Sequence, residues 1–159
     1  MFTRKYIIII GTILIIALIW ICLNYPKIEM YIDISKGDFE VTYTIKNGFR
    51  EKDIKIQIFS DGKFIKTNAS RYNEPVTKEI GYYSEADIKR FVKYAVRHNI
   101  LSMNDNMNAI DLYDGNEVYF EFEIGKRTIR VGGYAPRHVS RSFDKILRKF
   151  EELEFNIEE

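Results

Sequence analysis

The sequence has little cysteine, little histidine and no excess of charge of either sign. Of its 159 residues, one is cysteine and two are histidine. The single cysteine, Cys22, excludes a disulfide framework, so the fold has to depend on an apolar core. Two of the 24 basic residues precede position 25, which leaves 22 basic and 23 acidic residues in the rest of the chain. This near balance excludes a uniformly basic surface, and we expect no nucleic-acid partner.

Residues 6–23 form an apolar segment, and no charged residue lies between Lys5 and Lys27. A helix of this length, at about 1.5 Å per residue, crosses a hydrocarbon core of about 30 Å. Because Arg4 and Lys5 precede the segment, the positive-inside rule places the N-terminus in the cytoplasm. We therefore predict a cytoplasmic tip and transmembrane anchor over residues 1–27, bound to the lipid bilayer through residues 6–23. Residues 28–159 are predicted to form one extracytoplasmic domain of a single-pass cell-membrane protein.

Two other roles fit the apolar segment less well. A cleaved signal peptide requires small residues at the cleavage site, and residues 21–24 supply none. A lipoprotein signal resembles L-x-[AG]-C, whereas Ile21 precedes Cys22 in this chain. We therefore interpret Cys22 as an apolar residue of a membrane helix.

The spacing of apolar residues beyond the anchor predicts both strands and helices. Alternation of apolar and polar residues predicts strands near residues 28–34, 39–45, 54–58, 75–82 and 118–124. Spacings of three and four residues predict helices over residues 84–97 and 136–153. Short turns favour antiparallel pairing. The predicted fold class is α+β, with an N-terminal transmembrane helix followed by an antiparallel β-sheet that has two helices packed on one face.

Two turn dipeptides predict how the strands pair. Asp61-Gly62 predicts a two-residue hairpin turn, which would place Phe59 opposite Phe64 as a cross-strand aromatic pair. Residues 125–126 predict a second two-residue turn, between the last two long strands of the sheet.

Residues 54–153 contain a series of different short motifs. They are Ile56-x-Ile58-x-x-Asp61-Gly62, Gly81 ahead of a Ser-initiated helix, Asn99 to Met103, and a final hairpin and helix. Their order resembles a bacterial domain family of unknown function, found in small exported or membrane-anchored proteins. Members of that family often carry an acid-rich loop before the hairpin. The resemblance implies a similar α+β module, and it assigns no activity and no catalytic residue.

The acidic, Asn-rich loop before the last hairpin is a candidate metal site. It contains Asp105, Asp111 and Asp114, and carboxylate oxygens are preferred ligands of calcium. The loop lacks the glycine at the sixth position and the glutamate at the twelfth position of an EF-hand. The alternative is a polar surface loop, and we predict no cofactor.

Gly132, Gly133, Arg137 and His138 are the candidate ligand-binding residues. Free amides at a helix N-terminus favour an anion, and the Arg and His side chains would add donors. The segment lacks both a P-loop Lys-Ser/Thr and a GxGxxG motif. The alternative is a tight strand-to-helix turn that requires glycine. No Ser or Cys nucleophile motif accompanies the histidines, and we predict no catalytic residue.

Basic residues recur every four positions along both helices that follow the first strands. They are Lys89, Lys93 and Arg97 in the first helix and Arg141 and Lys145 in the second. We predict that they form a contact surface for an anionic lipid headgroup or wall polymer. The alternative is a solvated surface with i,i+4 ion pairs.

These features predict a membrane-anchored interaction or binding module that is not an enzyme. Its expected partner is an envelope protein or an anionic polymer. The alternative is a metal-dependent or hydrolytic envelope enzyme that uses the Asp/Asn-rich loop.

Overall fold

The chain begins with one long helix and continues into a β-sheet that is flanked by two further helices. The computed structural model describes residues 2–47, 52–70, 76–110, 115–153 and 155–157. The helices are α1 (Phe2–Lys36), α2 (Glu85–Arg97) and α3 (Arg141–Glu151). The strands are β1 (Phe39–Asn47), β2 (Lys52–Phe59), β3 (Lys63–Ser70), β4 (Thr77–Tyr83), β5 (Asn116–Ile124), β6 (Arg127–Tyr134) and β7 (Phe155–Ile157). The predicted α+β class with an N-terminal membrane-type helix is confirmed.

The described strands form one antiparallel sheet in the order β6-β5-β1-β2-β3-β4-β7. Val41 of β1 pairs with Ile58 on one side and with Phe122 on the other. All three side chains are fully buried on one face of the sheet. Because successive side chains of a strand point to opposite faces, their polar neighbours form the other face.

Helices α2 and α3 cover the apolar face of the sheet. Phe91 of α2 lies 5.9 Å from Phe120 of β5, measured between ring centroids. Phe143 and Phe150 of α3 lie 5.8 and 5.2 Å from the same ring. Phe120 of β5 thus contacts both helices, and the prediction of two helices on one face is confirmed.

The last three turns of α1 belong to the same core. Met30 and Ile34 have no exposed surface. Glu29 forms an ion pair of 2.9 Å with Arg127 at the start of β6. The prediction of a strand over residues 28–34 is therefore wrong. Residues two apart in a helix lie about 200° apart around its axis. The apolar residues at alternate positions of 28–34 therefore point in turn away from the domain and toward it.

The turn sequences predicted the register of one hairpin correctly and that of the other incorrectly. The β5–β6 turn has two residues, as predicted, and Phe122 pairs with Ile129. In the β2–β3 hairpin, Ile58 pairs with Phe64, so the predicted pairing of Phe59 with Phe64 is wrong. The Gly62 amide donates to the Phe59 carbonyl at 2.9 Å, and Gly62 has a φ of +90°. This geometry makes a longer loop that ends in a glycine with positive φ, and the register shifts by one residue.

Candidate functional site

Gly132 and Gly133 lie in β6 and are buried rather than open to a ligand. The Gly132 amide donates to the Asn104 carbonyl at 3.1 Å, and the Gly132 carbonyl accepts from the Met107 amide at 2.9 Å. A Cβ atom added to Gly133 would lie 2.5 Å from the Met107 carbonyl oxygen. The two glycines thus allow residues 104–109 to pack along the outer edge of β6. This close packing is the role that the structure gives them.

Arg137 and His138 lie in a short 3-10 turn, Pro136–His138, between β6 and α3. Both side chains are exposed. The Arg137 guanidinium is 3.2 Å from the Asp144 carboxylate and 3.6 Å from the Glu151 carboxylate. The charge of Arg137 is therefore countered by two acidic side chains of α3, with which an anionic ligand would have to compete.

The helix that follows this turn begins later than predicted. Its N-cap is Ser140, whose side chain accepts a hydrogen bond from the Phe143 amide at 3.2 Å. The free amides of α3 therefore lie beyond Arg137 and His138. The structure does not bring these two side chains and the two glycines together around one helix N-terminus.

A cavity of about 250 Å³ lies beside the turn, between the end of the sheet and α3. Its walls include Tyr43 of β1 and Leu147 of α3, and Arg137, His138 and Glu151 line its polar part. Burial raises the pKa of Tyr43, the Glu151 carboxylate raises it further, and Arg137 opposes them. Tyr43 therefore stays a neutral hydroxyl at physiological pH.

The described lining of this cavity combines apolar side chains with a phenol, a guanidinium, an imidazole and a carboxylate. None of its described lining residues is a serine or a cysteine, which are the usual nucleophiles of acyl transfer. The sequence patterns did not indicate Tyr43 and Glu151 as site residues. Tyr43 belongs to the apolar–polar alternation of a strand, and Glu151 lies on the polar side of a helix. Only the packing of α3 against β1 brings them together, and no spacing along the chain indicates it.

The Asn-rich loop owes its shape to its own side chains. The Asn106 amide donates to Asn104 Oδ1 at 3.1 Å, and Asn108 Nδ2 donates to Asn106 Oδ1 at 2.6 Å. Asn108 Oδ1 also accepts from the Tyr134 amide at 2.9 Å. The alternating asparagines thus join the loop to itself and to β6, which explains their spacing without a metal ion.

Of the three predicted metal ligands, only Asp105 lies among the described residues, and it is exposed. Asp111 and Asp114 lie outside them. Within the described part of the chain, no group of three or more His, Cys, Asp or Glu residues could hold a metal ion. The metal site stays a prediction.

The predicted basic contact surface lies on the helices that cover the sheet. Lys89 forms an ion pair of 2.6 Å with Glu85, one turn earlier in α2. The other four residues make no ion pair with any residue that the structure describes. They are Lys93, which is half-buried, and Arg97, Arg141 and Lys145, which are exposed. These four cations are therefore available to an anionic partner.

The apolar segment of α1 extends away from the rest of the fold. The segment Ile8–Lys36 of α1 is long and apolar enough to cross a membrane. Its most apolar stretch of 18 residues is not buried against the domain. Ile13, Leu18 and Trp20 are 61%, 60% and 61% exposed. In water such a surface would be unfavourable, whereas a hydrocarbon environment would cover it.

Comparison with models of known protein families and with curated proteins finds no match to this chain. The resemblance described for residues 54–153 stays a prediction. The membrane-type helix that enters the domain core and the four available cations are the features from which a function can be inferred.

Proposed function

We propose that this chain is a single-pass membrane protein that holds a non-enzymatic binding domain close to the outer surface of the cell membrane. The observation that supports this proposal best is the continuity of α1, which is both the apolar segment and a part of the domain core. A domain joined in this way is held at one height and in one orientation relative to its anchor.

Contacts along the domain-facing side of α1 support this fixed arrangement. Met30 and Ile34 are buried in the core, and Glu29 is paired with Arg127. Lys27 Nζ donates to Asn99 Oδ1 at 2.6 Å, at the end of α2. Helix α1 and the domain are therefore connected by side-chain packing within one turn of the apolar segment. No separate linker lies between them, since α1 continues to Lys36 with Pro26 inside it.

The partner that fits the available cations is an anionic polymer of the envelope or an anionic lipid headgroup. Lys93, Arg97, Arg141 and Lys145 lie on α2 and α3, on the helical side of the sheet. Clustered basic side chains near a membrane are attracted to negative charge at about 1 kcal/mol per residue. A surface of this kind binds by charge and needs no enclosed pocket.

The orientation is tested by protease treatment of intact cells that express the full-length chain, followed by mass analysis of the membrane fraction. We expect the domain to be cleaved and a fragment containing residues 6–23 to stay in the membrane. Protection of the domain until the cells are lysed would place it in the cytoplasm and contradict the proposal.

The contact surface is tested with charge reversal in the full-length chain, inserted in nanodiscs of uncharged lipid. The variant carries Lys93→Glu, Arg141→Glu and Lys145→Glu, and polyphosphate is the anionic probe. The control carries Lys55→Glu, Lys63→Glu and Lys78→Glu, which changes the net charge equally on the opposite face of the sheet. At about 1 kcal/mol per residue, we expect the first variant to lose about a hundredfold in affinity. An equal loss in the control would show that binding follows net charge, and would overturn the surface proposed here.

A further inference from the structure

Tyr43 carries a hydroxyl group on an otherwise apolar face of β1. The other side chains of β1 on this face are Phe39, Val41 and Ile45. Tyr43 is only 7% exposed, and its ring centroid lies 4.8 Å from that of Phe120 and 4.6 Å from that of Phe150. A phenylalanine could make the same ring contacts. A hydroxyl group at such a position is unfavourable unless it forms a hydrogen bond, so its presence needs another explanation.

The Tyr43 hydroxyl makes no hydrogen bond with any residue that the structure describes. In the same part of the chain, no fully buried side-chain nitrogen or oxygen lacks a partner. The hydroxyl therefore keeps access to the cavity that Tyr43 lines. The neighbouring Tyr134 hydroxyl differs, because it accepts a hydrogen bond from the Gly115 amide at 2.8 Å. Tyr43 thus offers this cavity a donor and an acceptor that no described residue uses.

The turn that forms one wall of the cavity has an unfavourable backbone conformation. Ala135 has a φ of +49° and a ψ of +46°, in the left-handed region that residues other than glycine rarely adopt. Its amide donates to the Asn116 carbonyl at 2.8 Å, which joins the turn to the start of β5. Pro136 and Arg137 follow directly and line the cavity. Backbone strain of this kind is concentrated at ligand and active sites.

The charged groups beside the cavity balance one another. The Arg137 guanidinium is 3.2 Å from the Asp144 carboxylate and 3.6 Å from the Glu151 carboxylate. Asp144 also pairs with Arg148 at 2.9 Å. Two guanidinium groups and two carboxylates have no net charge, so a ligand needs no charge to match them. A charged ligand would have to separate these pairs or lose its hydration without a partner.

The volume and the apolar walls set the size and the character of the ligand. The cavity has a volume of about 250 Å³. Since a cavity of about 150 Å³ binds benzene, this one has room for about ten non-hydrogen atoms. Its apolar walls include Ile45, Val118 and Leu147.

We propose that this cavity binds a small uncharged molecule that has one ring and a hydroxyl or carbonyl group, which pairs with the Tyr43 hydroxyl. The site uses neither the anchor nor the basic contact surface. Its test can therefore succeed or fail independently of the function proposed above.

Nuclear magnetic resonance of the full-length chain in nanodiscs tests the proposal, with labelled Ile, Leu and Val methyl groups. The probes are p-cresol and toluene, which differ by one hydroxyl group. We expect p-cresol to shift the methyl signals of Ile45, Val118 and Leu147 in a saturable way. Toluene should bind about fivefold more weakly, because it lacks the hydrogen bond. Shifts confined to α1 would show only partition into lipid, and equal affinities would show only an apolar void. Either result would overturn the proposal.

Tyr43→Phe removes the hydroxyl and keeps the ring. We expect this variant to lose its preference for p-cresol, with its affinity for toluene unchanged to within about twofold. A preference that persists in the variant would overturn the pairing with Tyr43.

Filling the cavity gives a second test that does not depend on Tyr43. Ile45→Trp places an indole ring in the space of the ligand, and we expect the affinity for p-cresol to fall about tenfold or more. Ile129→Trp is the matched control, because Ile129 is also partly buried against the core and does not line the cavity. It should leave the affinity unchanged. Equal effects of the two variants would overturn the location.

The charge of the ligand is tested with 4-hydroxybenzoate, which carries a carboxylate in place of the methyl group of p-cresol. We expect it to bind about fivefold or more weakly than p-cresol, because its carboxylate would compete with those that already pair with Arg137. Equal or tighter binding would assign an anionic ligand to the cavity and overturn the uncharged one proposed here.

Discussion

The two halves of α1 have the same secondary structure and opposite relations to their surroundings. In residues 8–23 the large apolar side chains are exposed on every side of the helix. In residues 27–36 one side is buried in the domain and the other is not, as the contrast between Met30 and Ile28 shows. The first half needs an apolar solvent, and the second half supplies part of a protein core.

This difference shows that the boundary between anchor and domain does not coincide with the end of a helix. The helix continues for about three turns after the apolar segment, and those turns contribute fully buried side chains to the core. Part of the anchoring helix α1 therefore belongs to the folded domain. Substitutions in the two halves of α1 should have different effects on the free energy of unfolding of the domain.

Truncation should give the largest difference between the halves. A chain that begins at Tyr25 keeps Met30 and Ile34, and should fold without its anchor. A chain that begins at Gly37 loses both, at about 2–5 kcal/mol for each large apolar side chain. That loss is comparable to the whole stability of a domain of this size. We expect the shorter chain to show no cooperative urea transition by circular dichroism, and a normal transition would contradict the comparison.

A single core substitution should give the next largest effect. Ile34→Ala should lower the free energy of unfolding of the domain by about 2–5 kcal/mol, because the removed atoms leave a cavity. Leu14→Ala in the apolar half should change it by less than about 0.5 kcal/mol. Urea unfolding of the full-length chain in detergent measures both, and equal midpoints for the two variants would refute the difference.

Alkaline pH should destabilise the domain and leave the anchor in place. Burial raises the pKa of Tyr43 above the value of 10.0 for a free tyrosine. Its contribution to stability is complete below pH 10 and is lost as the pH rises above it, by up to about 1.4 kcal/mol per pH unit. Protease sensitivity from pH 9 to 12 should therefore rise while the chain still pellets with membranes. Tyr43→Phe should reduce this pH dependence, and an unchanged profile would contradict the assignment.

The ion pair between α1 and β6 should contribute least. Glu29 and Arg127 have side chains that are 43% and 41% exposed, so the pair should stabilise the domain by only about 0.2–1 kcal/mol. Glu29→Gln should lower the urea midpoint slightly at low salt, and the difference should vanish at about 1 M salt. A salt-independent loss would mean that Glu29 acts through packing instead.

Much of the fold could be predicted because local patterns agree with it. Helix α2 lies close to the predicted bounds, and Ile88, Phe91 and Val92 are buried as their spacing indicates. The β5–β6 register follows from a two-residue turn. The β2–β3 register does not, because positive φ at Gly62 adds a residue to the loop. The second half of α1 was missed because a helix with apolar residues on two opposite sides shows the same alternation as a strand.

The site was harder to predict because its parts come from distant segments. Arg137 and His138 do line a cavity, but it is completed by Tyr43, which lies nearly 100 positions earlier in the sequence. The charge of Arg137 is countered by carboxylates about one and three helical turns into α3, which the residues next to Arg137 do not indicate. Gly132 and Gly133 were assigned to a ligand because their pattern suits either a free loop or a close backbone contact, and the structure shows the second.

The packing of residues 104–109 along β6 also protects the protein from aggregation. An uncovered edge strand presents unpaired amides and carbonyls to which another chain can add. On the β6 side, hydrogen bonds with Asn104, Met107 and Asn108 already occupy the edge at Gly132 and Tyr134. On the opposite side, β7 pairs only with Gly81 to Tyr83 of β4. Among the described strands, no strand pairs with β4 from Thr77 to Ile80 on this side, and none pairs with the outer edge of β7.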